Sequence, residues 1–292
     1  MPFLQGLEHV VKQDEPLAPY TYMKIGGPAR YFARPENLEQ LRELVVRAQN
    51  EDIPVYVLGG GSNILVRDEG VDGLVIYTRA PAFRYVRVEK ELVTAGAGAS
   101  LWSAVRAAAL HALSGMEVLA GIPGTVGGAV RMNAGGRFGD VGQFAHQVSV
   151  LDWSGEVRTL ARDQISFDYR ESSIEEPVIL EASFRLEEDD PVAIARRMKK
   201  IWITKKATQP LSVQSAGCIF KNTRGLSAGV LIEQAGLKGY RVGLAEVSDR
   251  HANFIITRPG CTARDVLALI DLIRDRVRAK FGVELELEIK IW

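Results

Sequence analysis

Residues 115–142 hold nine glycines and show little helical period. A stretch of that length without regular structure is uncommon inside a compact domain, where it is either functional or disordered. Met116, Val118, Leu119, Ile122, Val126 and Val130 are interleaved with the glycines, which argues for order. Glycine lets a backbone lie close to whatever it faces. Gly121-Ile122-Pro123-Gly124-Thr125-Val126-Gly127-Gly128-Ala129 therefore reads as a backbone surface laid against an extended ligand. A second cluster, Gly59-Gly60-Gly61-Ser62-Asn63 running into Ile64, directly follows the apolar run from Val55 to Leu58. Successive N–H groups in such a turn form a concavity suited to pyrophosphate, and Ser62 and Asn63 add side-chain donors. No Gly-Lys-Ser/Thr follows, so this is not an NTPase phosphate loop. Taken alone, 59–63 is equally well an ordinary tight turn. Gly96-Ala97-Gly98-Ala99-Ser100 lacks the third glycine of a Rossmann fingerprint and is discounted as one.

The rest of the chain alternates helices and strands without a strict βα order. Leu38, Leu41, Leu44, Val45 and Ala48 recur at helical spacing, predicting an amphipathic helix over 37–50. Residues 55–58 and 73–77 read as strands, and 83–88 with 92–95 as a hairpin. Ser100 is a good N-cap for a helix carrying Trp102, Val105, Ala109 and Leu110. Strands are expected near 147–151, 156–160 and 178–186. The acidic run 187–190, with Pro191, reads as a linker to a helix over 191–207. Helices near 226–235 and 262–281 flank strands at 242–248 and 252–257. Val283, Leu285, Leu287, Ile289 and Ile291 alternate with Glu284, Glu286, Glu288 and Lys290, the period of a strand with one buried face. This order predicts an α+β fold.

Lysine plus arginine and aspartate plus glutamate both number 36. That balance lacks the basic excess of a nucleic-acid binder, so an anionic ligand must be met by local charge. Cys218 and Cys261 are the only cysteines, too few for a disulfide framework and in keeping with a reducing compartment. The first residues contain early acids and no long apolar core, so no signal peptide is expected. No segment is apolar enough to span a bilayer. The expectation is a cytoplasmic protein with no metal site.

LGGGSN, GIPGTVGGAVRMNAG, YRES at 169–172, LIEQAGLKG at 231–239, VSDRHANF at 247–254 and a terminal LELEIK occur in one order. That order resembles the UDP-N-acetylenolpyruvoylglucosamine reductases, and the likeness runs from about Thr21 to Ile291. The resemblance implies a two-lobed FAD-binding region of the vanillyl-alcohol-oxidase type over 1–188, with lobes of about 1–80 and 81–188. A smaller α+β substrate-binding domain would occupy 189–282, leaving open whether the terminal strand, 283–292, returns to the FAD region. FAD would lie on 59–64 and along Gly121, Ile122, Pro123, Gly124, Thr125, Gly127, Gly128 and Ala129. NADPH would reduce it and leave, and a nucleotide sugar carrying an enolpyruvyl ether would then enter the same site. Too few residues separate Arg170 from Cys218 for the aromatic substrate-covering loop of some relatives, which implies the shorter subtype.

The same resemblance assigns the chemistry. Arg170 would meet the carboxylate on which charge develops, where its planar fork suits better than a lysine; read without the resemblance, it pairs with Glu171 or another surface acid. Glu288 would donate a hydrogen bond as a carboxyl group kept neutral by burial. Periodicity alone places Glu284, Glu286 and Glu288 on one solvated face, and Leu287 stands where relatives have proline, so Glu286 competes for the role. Cys218, in Gly217-Cys218-Ile219-Phe220-Lys221-Asn222, stands where many relatives carry a proton-donating serine. A thiol (ordinary pKa about 8.5) is a better acid than an alcohol near neutrality; a lone cysteine in an apolar run is otherwise an inert core residue. Lys221, Asn222, Lys238 and His251 would contact substrate, with Arg224 more loosely. Two other functions remain open: an FAD oxidase of an alcohol or sugar, and a flavin- or nucleotide-sugar-binding protein without turnover.

Overall fold

The computed structural model describes residues 3–223 and 225–292, which divide into two units. One comprises 3–14, Arg30–Gly60 and Asp72–Ile203; the other comprises Glu15–Ala29, Gly61–Val71 and Thr204–Trp292.

In the first unit, the Asn37 side chain accepts the Gln40 N–H and starts helix α1, Leu38–Asn50. Leu41, Leu44, Val45 and Ala48 are fully buried on one face. They share a core with Leu74 and Ile76, and a buried Leu or Val contributes about 1.5–3 kcal/mol. The sheet beneath is ordered Val11–Pro16, Pro28–Ala33, Val71–Tyr77, Val55–Leu58, the last two strands running parallel. The second lobe is a five-stranded sheet ordered Val157–Ala161, Ala145–Leu151, Val178–Arg185, Leu92–Gly96, Val86–Glu89, antiparallel throughout. Helix α2, Leu101–Leu110, is capped by Ser100 as expected. Its buried Leu101, Ala104, Val105 and Ala108 join the core of this lobe.

Three expectations are corrected. The glycine-dense stretch contains a helix, α3 at Val126–Arg131, capped by Thr125. Gly127 and Gly128 hide it, because glycine lowers helix propensity and tertiary packing overrides that preference here. The acidic run is no linker: Glu187–Glu188 pairs with Leu113–Ser114, and Asp189 binds Arg197 at 2.6 Å. Helix α4, Pro191–Thr208, follows it. In the terminal segment the burial alternation holds, with Leu285 and Ile289 buried and Glu284 and Glu286 exposed. A regular ladder forms only at Lys290–Ile291, which pairs in parallel with Ile64–Leu65.

The second unit packs α5, Ala228–Gln234, and α6, Ala263–Phe281, around a three-stranded antiparallel sheet, Arg241–Val242, Ala245–Val247 and Ile255–Thr257. Thr262 and Asp265 form a capping box at the start of α6, and Gly282 ends it at φ +68°. The Asp68 carboxylate also accepts the first N–H groups of α6, from Ala263 and Arg264. Met23, Ile25 and Leu65 enter this core from the early part of the chain. Among the described residues no helix is long and apolar enough to cross a membrane.

Candidate active site

Gly59 and Gly60 pack on the second glycine cluster inside the first unit. A Cβ on Gly59 would lie 2.3 Å from Thr125 Oγ1, and one on Gly60 would lie 2.9 Å from the Gly124 Cα. At Gly60 backbone meets backbone, and at Gly59 the Thr125 side chain fills the space, both of which require glycine. Among the described residues, the N–H groups of Gly59 and Gly60 donate to no protein acceptor. Consecutive donors at a turn suit a pyrophosphate. Gly121 and Gly124 take φ +74° and +116°, and Thr125 Oγ1 accepts the Gly128 N–H at 3.4 Å. The Val126 and Gly127 N–H groups bond the carbonyls of Ala99 and Ala97 at 3.0 and 2.9 Å. The segment 96–100, set aside as a fingerprint, is thus the structural partner of 124–127. This donor set and glycine-only packing fit the diphosphate of FAD.

Gly61, Ser62, Asn63 and Ile64 belong to the second unit. The Asn63 carbonyl accepts the Lys290 N–H at 2.9 Å, and Asn63 Nδ2 donates to the Glu288 carbonyl at 3.2 Å.

Arg170 sits in the first unit, in the two-residue turn joining Phe167–Asp168 to Glu171–Ser172. It is half-buried and takes φ +63°, the left-handed region that L side chains avoid. Its guanidinium carbon lies 5.0 Å from the Tyr169 ring centroid.

Cys218 and Glu288 come together in the second unit despite their separation in sequence. The segment after Cys218 lies between two others: Cys218 bridges Phe254, and Phe220 bridges Leu287. The Glu288 N–H donates to the Ile219 carbonyl at 2.8 Å, and the Lys221 N–H to the Glu286 carbonyl at 2.8 Å. Buried Asn253 holds the segment from the other side. Its Oδ1 accepts the Phe220 N–H at 2.9 Å and its Nδ2 donates to the Phe220 carbonyl at 2.8 Å. Cys218 is half-exposed, whereas Cys261 is buried and its thiol is pushed up to about 11 by that burial. The competing glutamates differ in setting: Glu286 is exposed and ion-paired with Lys221, and Glu288 is half-buried.

The candidate substrate contacts share this unit. Asn222 Oδ1 accepts the Ala228 N–H that opens α5. Lys238 pairs with Glu233 at 2.7 Å. His251 is pushed below its ordinary pKa, first by burial and then by Lys238. Its Nδ1 accepts the Asn253 N–H at 3.2 Å, so the neutral ring carries its proton on Nε2 and can donate there. Arg224 lies outside the described residues.

Sequence reasoning missed the buried asparagines. Asn253 and Asn133 lie inside quoted motifs, VSDRHANF and GIPGTVGGAVRMNAG, but nothing in their spacing marks them as braces for neighbouring backbone. Apolar neighbours around a single carboxamide were the available signal.

Residues 29–161 match the profile of an FAD binding domain. Across 65% of this chain and 45% of the other, the fold is shared with a glucose dehydrogenase at TM-score 0.50 and 16% identity, a likeness of fold alone. With the glycine cradle, this makes the chain an FAD-binding protein that shares this flavin fold. Residues 209–292 match the profile of the UDP-N-acetylenolpyruvoylglucosamine reductase C-terminal domain. The chain is 43% identical over 288 residues to the UDP-N-acetylenolpyruvoylglucosamine reductase of Moorella thermoacetica, spanning 98% of this chain and 95% of that one. The solved reductase from Thermus caldophilus matches at TM-score 0.82 and 38% identity, over 97% of this chain and 98% of its own. The chain belongs to the UDP-N-acetylenolpyruvoylglucosamine reductase family.

Proposed function

We propose that this cytoplasmic enzyme reduces the enolpyruvyl ether of UDP-N-acetylglucosamine enolpyruvate to the lactyl ether of UDP-N-acetylmuramate, with Cys218, Arg170 and Glu288 carrying the chemistry. The FAD region is the unit that contains Arg30–Gly60 and Asp72–Ile203, and the substrate domain is the unit that contains Thr204–Trp292, with the boundary after Ile203 rather than at 188. The chemistry that bound FAD supplies is two-electron transfer: hydride taken from NADPH is passed to the terminal carbon of the enolpyruvyl group. Negative charge then develops on the substrate carboxylate as an enolate. Arg170 meets that charge with a two-pronged donor, and the Glu288 carboxyl group adds a hydrogen bond. The Cys218 thiol delivers a proton to the carbon bearing the ether oxygen, and the resulting thiolate is reprotonated from water. Hydride plus proton completes the saturated ether.

Lys221, Lys238, Asn222, the Nε2 donor of His251 and Arg224 receive the diphosphate and sugar. The ion pairs of Lys221 with Glu286 and of Lys238 with Glu233 are partly exposed, and such pairs contribute only about 0–1 kcal/mol. A diphosphate can therefore displace or share them.

The observation that carries the reading is the 2.8 Å bond from the Glu288 N–H to the carbonyl of the residue next to Cys218, which brings the backbone segments carrying the acid and the thiol side by side from distant parts of the chain. Anaerobic titration tests it. The yellow protein should bleach with NADPH and recolour when the enolpyruvyl nucleotide sugar is added. A protein that cannot be loaded with FAD, or that recolours only with oxygen, excludes the reaction. The glutamates are separated by charge-neutral variants: Glu288→Gln should lower turnover about 100-fold, whereas Glu286→Gln should stay within about threefold. The reverse ranking would move the role to Glu286.

A further inference from the structure

We propose that Asn133 is a positioning residue for Arg170, holding the strained turn that aims the guanidinium; the inference rests on Arg170 acting as the cation for the substrate enolate. A two-residue turn with a non-glycine residue at φ +63° does not hold that shape by itself, because left-handed backbone costs about 1–2 kcal/mol. Something must over-determine it.

Asn133 is 3% exposed. Its Nδ2 donates at 2.9 Å to the carbonyl of Asp168, the last residue before the turn. Its Oδ1 accepts the Gly142 N–H at 2.9 Å. One carboxamide thus ties the turn's entry to the neighbouring segment at Gly142. A Cβ at Gly142 would lie 2.6 Å from Phe167 Cβ, so the hairpin is also seated sterically. Asn133 itself takes φ +38°, a region asparagine tolerates better than most residues. The exit strand is held from the same direction. Ser172 Oγ donates to the Arg131 carbonyl at 3.0 Å, and the Arg131 guanidinium donates to the carbonyls of Ile174 and Glu176. Both sides of the turn are therefore fastened to the end of α3, the helix that begins in the glycine cradle. None of these groups needs to touch substrate to matter, since a misplacement of about 1 Å can cost 100-fold.

The experiment follows recolouring of the NADPH-bleached holoenzyme by the enolpyruvyl nucleotide sugar in Asn133→Ala, Arg170→Ala and the double variant. Asn133→Ala should slow recolouring about 10–100-fold while the rate of bleaching by NADPH stays within about twofold. In the Arg170→Ala background the same change should add less than about twofold, because there is no guanidinium left to aim. Ser172→Ala removes one hydroxyl from the exit strand and should show a smaller slowing, about 3–10-fold, that also vanishes in the Arg170→Ala background. It keeps the question measurable if Asn133→Ala fails to fold. Equal slowing in both backgrounds, or loss of bleaching with recolouring, would overturn the positioning role. An Arg170→Ala enzyme that recolours at the parental rate is a different failure, since it removes the assigned role of Arg170 itself.

Discussion

Cys218→Ala is expected to cut turnover of the enolpyruvyl nucleotide sugar about 1,000-fold, the middle of the range for a positioned proton donor. Bleaching by NADPH should be unaffected, because that step needs no proton at the substrate carbon. Cys218→Ser should retain turnover within about tenfold of the parent, since a hydroxyl can still bridge a proton to the same carbon, though from a weaker acid. The loss is not expected to come from unfolding. Cys218 is half-exposed, and the backbone around it is held by Phe254, Asn253 and Glu288. Cys261→Ala is the matched control. That thiol is buried and, with its pKa at about 11, stays neutral at pH 7. Its removal should lower stability by about 1 kcal/mol through a small cavity and leave both half-reactions alone. Normal turnover by Cys218→Ala would mean that the proton comes from elsewhere.

The elements read correctly from the chain are those whose local signals agree. In α1 a side-chain cap and an apolar stripe point the same way, so its boundaries fall within a residue or so of expectation. In α2 the Ser100 cap marks the start, but Trp102 and Leu110, read as part of its apolar stripe, are exposed, and the buried face is Leu101, Ala104, Val105 and Ala108. What escaped depends on distant partners. α3 is six residues long with two adjacent glycines, and it exists because Thr125 caps it and Gly127 packs against Ala97. Residues 187–188 look like a solvated acidic tether until Leu113–Ser114 is placed beside them. The site divides along the same line. Glycine density marked the cradle, because close backbone approach leaves a compositional trace. Cys218, Arg170 and Glu288 carried no such trace: a thiol in an apolar run, a cation beside an acid and a glutamate on a polar face all have ordinary explanations. Family likeness singled them out; in the chain's own geometry Glu288 is half-buried, whereas Glu286 is exposed and paired with Lys221.

Arg170→Gly should separate activity from stability. Catalysis should fall about 100- to 1,000-fold, the usual consequence of removing a preorganised donor to developing charge. The fold should lose little or nothing. Glycine relieves about 1–2 kcal/mol of left-handed strain at φ +63°. Against that stand the lost stacking on Tyr169, about 0.5–1 kcal/mol for a partly exposed pair, and the greater freedom of glycine in the unfolded chain, of similar size. These terms nearly cancel, so the thermal midpoint should stay within about 3 °C of the parent. Arg170→Lys keeps the charge but not the fork, and it should recover only part of the rate. A residue kept in an unfavourable backbone conformation, at no benefit to stability, is retained for what its side chain does. A large fall in melting temperature with Arg170→Gly would instead make Arg170 part of the scaffold, and the catalytic reading would have to move to another cation.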